Sequence, residues 1–369
     1  MNVLNNYIRV NSETGGYNVY IQNCFSDLAS AFANSDLSGR DVFIVTDRNV
    51  KELYLDSFLT AASDVVSVKG IYIISPGEGI KNLDTVSEIY KIFSDAKVDR
   101  RTVAVALGGG VAGDICGFAA ATFMRGIPFV QVPTTLMSMV DSSVGGKTGV
   151  NFEGIKNLVG SFYAPEFVYI NTDTLKTLPQ EQFSAGMAEV VKHGLIHDKD
   201  YFNFLDDSKN KIAAYNDDNT PFINRLIHRS IEIKSEIVSS DEKEKGIREI
   251  LNFGHTFGHS IESLLEYKMP HGFCVGIGMS MALTLSASKG YIKFNVVEKY
   301  KNLCCALGIP TKLSDIGTEL NSNDIYTKML QDKKTRDGKI RLILLKQVGK
   351  AFVSELCEKD EIIESIETI

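Results

Sequence analysis

Residues 103–113 read VAVALGGGVAG, an apolar run that leads directly into a glycine-rich turn. The β-branched and small apolar residues of Val103–Leu107 predict a buried strand. Gly108, Gly110 and Gly113 then match the pattern G-x-G-x-x-G at the start of a predicted helix. This order is typical of α/β domains in which backbone N–H groups and a helix N-terminus hold the pyrophosphate of a dinucleotide.

Strands and helices alternate on both sides of this turn. Amphipathic segments such as Asn82–Asp95 predict the helices. Further apolar runs predict five strands, at Asn18–Ile21, Asp41–Thr46, Ile71–Ser75, Pro128–Val132 and Phe167–Ile170. Strands that are apolar on both faces predict a mostly parallel, Rossmann-like sheet with helices on both sides.

From about Thr177 onward the apolar residues recur with the period of a helix. Thr177 and Gln180 fit a capping box, with Pro179 in the first turn. Helices are predicted at Glu181–His193, Phe222–Ser239, Arg248–Tyr267, His271–Lys289 and Val296–Leu307, and a hairpin at Lys339–Lys346 and Lys350–Glu355 around Gly349. The 369 residues are therefore expected to form an α/β domain, 1–178, and a mainly helical domain, 179–369.

The composition excludes several classes of partner. The net charge is −7, which argues against nucleic acid as the main partner. The most apolar segment, Phe273–Ala287, is shorter than the ~20 residues of a membrane-spanning helix and predicts a buried helix instead. The first thirty residues lack a signal-peptide pattern, and the six cysteines form no CxxC pair. These features predict a cytoplasmic protein whose cysteines are reduced core residues.

The glycine turn alone leaves the cofactor open. A tight turn packed against another backbone would show the same pattern about as often. No Asp or Glu follows ~20 residues later to bind a ribose, as the usual fingerprint requires. Asp47, at the end of a neighbouring predicted strand, is one candidate for that role if NAD binds.

A second phosphate-binding pattern is incomplete. Residues 141–148 read DSSVGGKT and end like a Walker A loop, but Asp141 stands where that loop requires glycine. The pattern therefore excludes an ATPase loop and leaves Lys147 as an anion ligand beside two glycines. Lys156 and Asn157 follow on another predicted glycine-flanked loop. For any one of these residues, a solvated surface position is the alternative.

Three histidines and one glutamate predict a metal site. His255 and His259 lie at i and i+4 of a predicted helix, and His271 follows shortly after. Glu189 lies among small apolar residues, where a carboxylate is costly unless it is paired or metal-bound. Two His and one Glu would form a zinc site with an open position. The spacing leaves two assignments open, His255 with His259 or His255 with His271, and satisfied core histidines are the alternative to both.

Basic and amide residues accompany this cluster. Lys192 lies at i+3 from Glu189, on the same helix face. Cations around a metal suit a substrate with more than one negative group. The other candidates are Arg125, Lys234, Arg248, Asn252, Lys333 and Lys334, for which ordinary surface charge is the alternative.

Together these segments resemble the 3-dehydroquinate synthase family. The matching stretches are Gly108–Gly117, Phe123–Gly126, Pro133–Asn151, Lys156–Asn157, Leu178–Gly194, Arg248–Glu262 and Pro270–Gly272. The resemblance implies an N-terminal NAD-binding α/β domain and a helical metal domain. It also implies a homodimer, because Arg125 matches a position that reaches the neighbouring subunit's site.

The resemblance also assigns individual residues. Glu189, His255 and His271 match the ligands of Zn²⁺ or Co²⁺, which leaves His259 for the substrate. NAD-contacting positions are matched by Asp47, Asn49, Glu78, Lys81, Gly110, Val111, Asp114, Thr134, Thr135, Lys147, Lys156 and Thr177. Substrate positions are matched by Asp141, Lys147, Asn157, Lys192, Lys234, Arg248, Asn252, His259 and one lysine of the pair Lys333 and Lys334.

The implied reaction converts 3-deoxy-D-arabino-heptulosonate 7-phosphate to 3-dehydroquinate and phosphate. Its steps are transient oxidation by NAD, phosphate elimination, reduction, ring opening and an internal aldol closure. Sister sugar-phosphate cyclases and metal-dependent polyol dehydrogenases would share the glycine turn and the metal ligands. A non-catalytic NAD and metal sensor is a third alternative. The pattern of Ser142–Thr148, Lys156–Asn157 and Arg125 favours 3-dehydroquinate synthase.

Overall fold

The computed structural model describes residues 7–12, 15–215, 220–331 and 340–369. Contacts between residues divide the chain into two compact units. Unit 1 comprises Met1–Leu178 and Thr220–Lys243, and unit 2 comprises Pro179–Asn219 and Glu244–Ile369. None of the helices in the described ranges is both long enough and apolar enough to cross a membrane.

The elements follow one another in mixed order. The strands are β1 Tyr7–Val10, β2 Tyr17–Gln22, β3 Arg40–Asp47, β4 Val66–Ile74, β5 Val103–Gly108, β6 Phe129–Pro133, β7 Lys147–Phe152, β8 Ile155–Phe162, β9 Phe167–Asn171, β10 Leu342–Gln347 and β11 Lys350–Ser354. The α-helices are α1 Leu28–Asn34, α2 Arg48–Val50, α3 Asp56–Ala62, α4 Leu83–Asp95, α5 Gly110–Thr122, α6 Gln180–His197, α7 Lys199–Ala213, α8 Thr220–Ser240, α9 His255–Leu264, α10 His271–Ser288, α11 Phe294–Ala306, α12 Ser322–Leu330 and α13 Lys359–Glu367. Short 3₁₀ and π turns join several of them.

Unit 1 is built on a seven-stranded sheet of order β1-β2-β9-β6-β5-β3-β4. Every neighbouring pair is parallel except β1 and β2. The predicted parallel α/β fold and all six predicted strands are confirmed. The interior strand β5 is buried along its whole length. Its carboxyl end therefore opens directly into the glycine turn, Gly108–Gly113.

Apolar side chains cover both faces of this sheet. Along β3, Ile44 packs into one cluster, whereas Phe43 and Val45 pack into the other. Alternation across a strand produces this division, since successive side chains point to opposite faces. Each buried side chain of this size contributes roughly 1.5–3 kcal/mol of burial free energy. A doubly covered sheet holds its strand ends in fixed positions.

The segment after the predicted anion loop is a hairpin, which the sequence analysis missed. Strands β7 and β8 pair antiparallel, so Lys147 begins a strand and Lys156 and Asn157 lie in a strand rather than in a loop. The glycines suggested loops, but Gly149 and Gly160 face each other across the pair. Small residues there allow the two backbones to approach closely.

Helix α10 is the centre of unit 2. It confirms the buried helix predicted at Phe273–Ala287, since almost every residue from Gly272 to Ala287 is buried. Its glycines allow close crossings: a Cβ on Gly278 would lie 2.1 Å from the carbonyl oxygen of Gly254. Strands β10 and β11 form the predicted C-terminal hairpin within the described residues.

Two local predictions in this half of the chain are wrong. Arg248–Tyr267 is not one helix, because a 3₁₀ turn, Ile247–Asn252, ends before Gly254, whose φ of +78° breaks the helix ahead of α9. Thr177 is not the cap of α6. That helix begins after Pro179 without a side-chain cap, and the Thr177 hydroxyl instead donates to the carbonyl oxygen of Thr174.

Helix α8 packs with unit 1, against β1 and the π turn Ser138–Ser142. The division by contacts has its first boundary after Leu178, and it assigns α8 to unit 1.

All six cysteines are free thiols. The predicted core location is wrong for Cys24 and Cys305, which are exposed, whereas Cys116, Cys274 and Cys304 are buried. A cysteine has no spacing signal that separates these two environments.

Candidate functional site

The glycine turn presents the N-terminus of α5, as the sequence predicts. Gly109 precedes the first helical residue, Gly110, so N–H groups of the first turn lack intrahelical acceptors. A Cβ on Gly110 would lie 3.0 Å from Ser142 Oγ, and one on Gly113 would lie 2.9 Å from Gln131 Oε1. Side chains are excluded there by contact, which leaves the backbone accessible to an anion.

The ends of the neighbouring strands bring further predicted residues to this turn. Thr134 follows β6, and its backbone N–H donates to the carbonyl oxygen of Gly108 at 3.0 Å. The Thr134 hydroxyl is buried and has no hydrogen-bond partner within the described part of the chain. Thr135 lies against Gly109, with its Cγ2 3.2 Å from a Cβ built on that glycine. An unmatched buried hydroxyl beside a helix N-terminus fits a site for a polar cofactor.

Asp47 ends β3 on the same edge of the sheet. One carboxylate oxygen accepts hydrogen bonds from the backbone N–H groups of Asn49 and Val50, at 2.9 and 3.0 Å. The other oxygen lies 3.5 Å from a Cβ built on Gly108, so it faces the glycine turn. The structure thus places Asp47 beside the glycine turn, with Asn49 in the short helix that follows it. Val111 lies half-buried in the first turn of α5.

A buried lysine joins several of the predicted residues. Lys81 is 4% exposed, and its Nζ lies 2.5 Å from Asp114 Oδ2 and 2.5 Å from Asn157 Oδ1. Burial raises the pKa of the Asp114 carboxyl, and the ammonium group of Lys81 opposes that rise. Asn157 is held at φ +50°, a conformation that asparagine tolerates better than most residues. The lysine therefore couples a predicted cofactor residue to a predicted substrate residue.

Asn151 connects the same group and was missed by the sequence analysis. Its side-chain amide donates to Glu78 Oε1 at 2.9 Å, and its side-chain oxygen accepts from the Asn157 N–H at 2.9 Å. Its own backbone N–H donates to the carbonyl oxygen of Lys81 at 2.8 Å. The only signal in the sequence was its place at the end of the matching stretch Pro133–Asn151.

Asp141 and Lys234 form a second polar group within unit 1. Lys234, on α8, lies 2.6 Å from Asp141 Oδ1 and 2.5 Å from the Asp141 carbonyl oxygen. Asp141 lies in the π turn Ser138–Ser142, a geometry that is frequent at functional sites. This contact is one reason why α8 belongs to unit 1.

The remaining predicted residues of unit 1 lie at its surface or at turns. Lys147 and Arg125 are exposed, and Lys156 is half-buried. Arg125 and its neighbour Met124 both have positive φ, at +68° and +51°. Thr177 is exposed and hydrogen-bonds the hydroxyl of Tyr54, whose pKa is raised chiefly by burial.

In unit 2 the three histidines converge, and we call them the histidine cluster. One ring nitrogen from each of His255, His259 and His271 lies within 4.8 Å of the others. Glu189, on α6, joins them, with its Oε1 3.8 Å from His255 Nε2. Tetrahedral zinc with ligands at roughly 2.0–2.2 Å separates its ligand atoms by about 3.4 Å, which is close to this distance.

The environment of Glu189 fits a bound cation. The carboxylate is fully buried, and within the described residues neither oxygen accepts a hydrogen bond of normal geometry. Lys192, itself 1% exposed, forms an ion pair with Oε2, which leaves Oε1 facing His255. A buried carboxylate oxygen without a donor is costly unless a metal or proton approaches it.

His255 and His271 each make a contact through Nδ1. His255 Nδ1 lies 3.2 Å from the carbonyl oxygen of Phe253, and His271 Nδ1 lies 3.1 Å from Glu262 Oε2. Both contacts use Nδ1 and leave Nε2 of each ring directed elsewhere. All three rings lie in one cluster, so His255 with His259 and His255 with His271 both stay predictions at this point.

Two more predicted residues lie in the turn before α9. Arg248 is 2% exposed, and Asn252 donates to Glu244 and to the carbonyl oxygen of Glu249. Lys333 and Lys334 lie outside the described residues.

Comparisons with known proteins agree with this geometry. The family described as 3-dehydroquinate synthase N-terminal matches residues 71–185, and its C-terminal counterpart matches residues 186–335. A 3-dehydroquinate synthase from Acetivibrio thermocellus is 41% identical, over 96% of either chain.

Solved structures show the same fold. A 2-deoxy-scyllo-inosose synthase complexed with carbaglucose-6-phosphate, NAD⁺ and Co²⁺ superimposes with a TM-score of 0.85 at 27% identity, covering 98% of this chain and 99% of that one. A 2-epi-5-epi-valiolone synthase from Streptomyces hygroscopicus with NAD⁺ and Zn²⁺ bound gives 0.85 at 25% identity, covering 95% and 96%. The family models and the sequence identity, which is higher than that to the two solved structures, show which family this is. The chain belongs to the 3-dehydroquinate synthase family of enzymes.

Proposed function

We propose that the protein converts 3-deoxy-D-arabino-heptulosonate 7-phosphate to 3-dehydroquinate and phosphate with one divalent metal ion and a recycled NAD. The observation that carries the proposal is the meeting of the buried Glu189 carboxylate, whose Oε1 faces His255, with the histidine cluster in unit 2. The glycine turn of unit 1 supplies the second requirement, a helix N-terminus that a dinucleotide can approach.

Glu189, His255 and His271 would hold the metal. One carboxylate and two neutral imidazoles are a ligand set that suits Zn²⁺ or Co²⁺ and leaves a coordination position for substrate. When bound, the ion would supply Lewis acidity to adjacent hydroxyl groups of the sugar acid. His259 lies within the same cluster and would face the substrate, where it can hold or move a proton at a ring nitrogen.

NAD would lie along the carboxyl edge of the sheet in unit 1. The N-terminus of α5 would hold the pyrophosphate, and the Asp47 carboxylate would accept a hydrogen bond from a ribose hydroxyl. Thr134 and Thr135 offer hydroxyl groups beside the turn, and further contacts would come from Asn49, Glu78, Lys81, Val111, Asp114, Lys147, Lys156 and Thr177. When bound, NAD would take up one hydride and return it later in the cycle, so no NADH would accumulate.

The negative groups of the substrate call for the basic residues. In unit 1 the candidate cations are Lys147, Lys234 and Arg125, accompanied by the polar residues Asp141 and Asn157. In unit 2 they are Lys192, Arg248 and Lys334, accompanied by Asn252 and His259. Cations that surround a leaving phosphate stabilise the charge that develops on it. Lys192 already pairs with Glu189, which holds its ammonium group beside the carboxylate that faces His255.

A panel of substrates tests this proposal against its two relatives. Phosphate release should occur with the heptulosonate phosphate and not with other sugar phosphates. Release from another sugar phosphate alone would indicate a sister cyclase, which the NAD- and metal-bound synthases of the same fold make the second candidate. Net NADH from a polyol would indicate a dehydrogenase.

We also propose that the protein is a cytoplasmic homodimer in which Arg125 completes the partner's site. Its support is the exposed guanidinium on a strained turn and an apolar sheet edge, where Val68, Ile71 and Ile73 on β4 are each more than a third exposed. Native proteins seldom leave such an edge uncovered.

Subunit mixing tests the dimer. The variants Arg125→Ala and His271→Ala should each be inactive alone, and a mixture that is allowed to exchange subunits should regain partial activity. No recovery in a demonstrably mixed dimer would contradict the role of Arg125 across the interface. Light scattering of I71K/I73K should show monomers if β4 forms that interface.

A further inference from the structure

Glu262 is a buried carboxylate to which the roles described above assign nothing. It lies on α9, seven residues after His255, a spacing that places both on one face of the helix. Its side chain is 3% exposed. A buried carboxylate costs free energy unless it accepts hydrogen bonds or faces a positive group, so its position calls for an account.

The Glu262 carboxylate contacts one member of the histidine cluster, His271. Glu262 Oε2 lies 3.1 Å from Nδ1 of His271, the first residue of α10. Helix α9 thus carries one candidate ligand, His255, and also contacts a ligand on the next helix. A residue in the first turn of a helix is held by fewer backbone bonds than one in the interior, so its ring depends more on side-chain contacts.

The chemistry of this contact determines the tautomer of the ring. An ionised carboxylate can only accept, so Nδ1 of His271 must carry the proton and donate it. The lone pair of the neutral ring then lies on Nε2, where a metal can use it. A carboxylate behind a ligating imidazole also raises its basicity.

We propose that Glu262 is a positioning residue: it fixes the orientation and tautomer of His271 and thereby strengthens metal binding. The inference rests on the proposed function, since the metal is the one proposed there. His255 provides an internal comparison, because its Nδ1 lies 3.2 Å from the neutral carbonyl oxygen of Phe253. The contact at Nδ1 of His271 is instead with a carboxylate.

Cobalt binding to the metal-free protein tests the role. E262A should lower the affinity for Co²⁺ by about 10–100-fold and change the visible spectrum of the bound ion, since the ring loses its acceptor. E262Q should lose less, because its amide oxygen still accepts from Nδ1 but carries no charge. E266Q is the matched control, since Glu266 lies near the same helix end but is exposed and pairs with Lys268.

Thermal unfolding of the metal-free forms separates positioning from folding. E262Q should unfold near the temperature of the wild type without metal and fall behind it only when Co²⁺ is added. If E262A fails to fold, E262Q decides, and wild-type affinity with an unchanged spectrum in E262Q overturns the role of Glu262. Failure of the wild type itself to bind Co²⁺ would overturn the proposed metal site, and this role with it.

Discussion

The glycine turn of unit 1 and the histidine cluster of unit 2 differ in what they are made of. The turn lies on one continuous stretch, Gly108–Gly113, and its chemistry comes from the backbone. The cluster collects side chains from α9 and α10 and meets Glu189 from α6, which is distant from them in the sequence. We expect the turn to lose function when a side chain is added to one of its glycines. We expect the cluster to lose function when a ligand side chain is removed or when its helices move apart.

The largest effect is expected from removing a ligand of the cluster. His271→Ala should lose the metal and lower turnover by on the order of a thousandfold, because several kcal/mol of transition-state stabilisation depend on that ion. Metal content and phosphate release measure both effects. H197Q is the control, since His197 is exposed at the end of α6. Full turnover in His271→Ala would contradict the ligand assignment.

The next largest effect is expected at Gly278, a glycine with no assigned functional role. Gly278→Ala places a Cβ 2.1 Å from the carbonyl oxygen of Gly254, so α9 and α10 must separate. We expect a loss of about 1–3 kcal/mol in stability, with weaker metal binding as the ligands move apart. Chemical denaturation measures the first and cobalt titration the second. Gly79→Ala, where no atom lies within 4 Å of the new Cβ, should leave stability unchanged or slightly higher.

The hydrogen-bond network of unit 1 should show a smaller effect on two ligands at once. Asn151→Ala removes its side-chain bonds to Glu78 and Asn157, each worth about 0.5–1.5 kcal/mol. NAD and a substrate analogue should therefore both bind more weakly, as titration calorimetry would show. E153Q, on the same hairpin, is the control. Weakening of only one ligand would mean that Asn151 does not join the two groups.

The smallest effect is expected at a surface ion pair, Lys289 with Glu361. The hydrogen bond from Lys289 is the main reason that the pKa of Glu361 is below its ordinary value of 4.5. A lowered pKa contributes stability above pH 4.5 that is lost as the pH falls through the folded-state pKa. E361Q should therefore cost less than about 1 kcal/mol at neutral pH, and the difference from wild type should shrink in acid. Urea midpoints of E361Q and of E364Q, which alters an exposed neighbour, measure it. A difference that grows in acid would contradict the assignment.

The sequence predicted unit 1 well because its signals are local. Buried parallel strands have continuous apolar runs, and Val103–Leu107 is legible without knowledge of its neighbours. The sequence did not predict the hairpin β7–β8, because its glycines are equally typical of loops. In the structure Gly149 and Gly160 instead allow the two strands to approach each other. Nothing local distinguishes a paired glycine from a mobile one.

The cluster was predicted in composition but not in arrangement. Spacing indicated His255 and His259, and the apolar surroundings of Glu189 indicated that carboxylate, whereas the contacts of Nδ1 with Phe253 and Glu262 appear only in the fold. Glu262 and Asn151 escaped notice because their roles depend on partners that folding brings to them. The break at Gly254 also depends on tertiary packing, since the left-handed glycine lies against Met279 of α10.

The proposed reaction is a redox-neutral, metal-dependent release of phosphate, and a single incubation tests it. Purified protein is mixed with 3-deoxy-D-arabino-heptulosonate 7-phosphate, NAD and Zn²⁺, with and without a chelator, and phosphate, 3-dehydroquinate and NADH are followed together. We expect equal amounts of phosphate and 3-dehydroquinate, no lasting NADH, and loss of both products with the chelator. Steady accumulation of NADH, or unchanged release after complete removal of the metal, would contradict it.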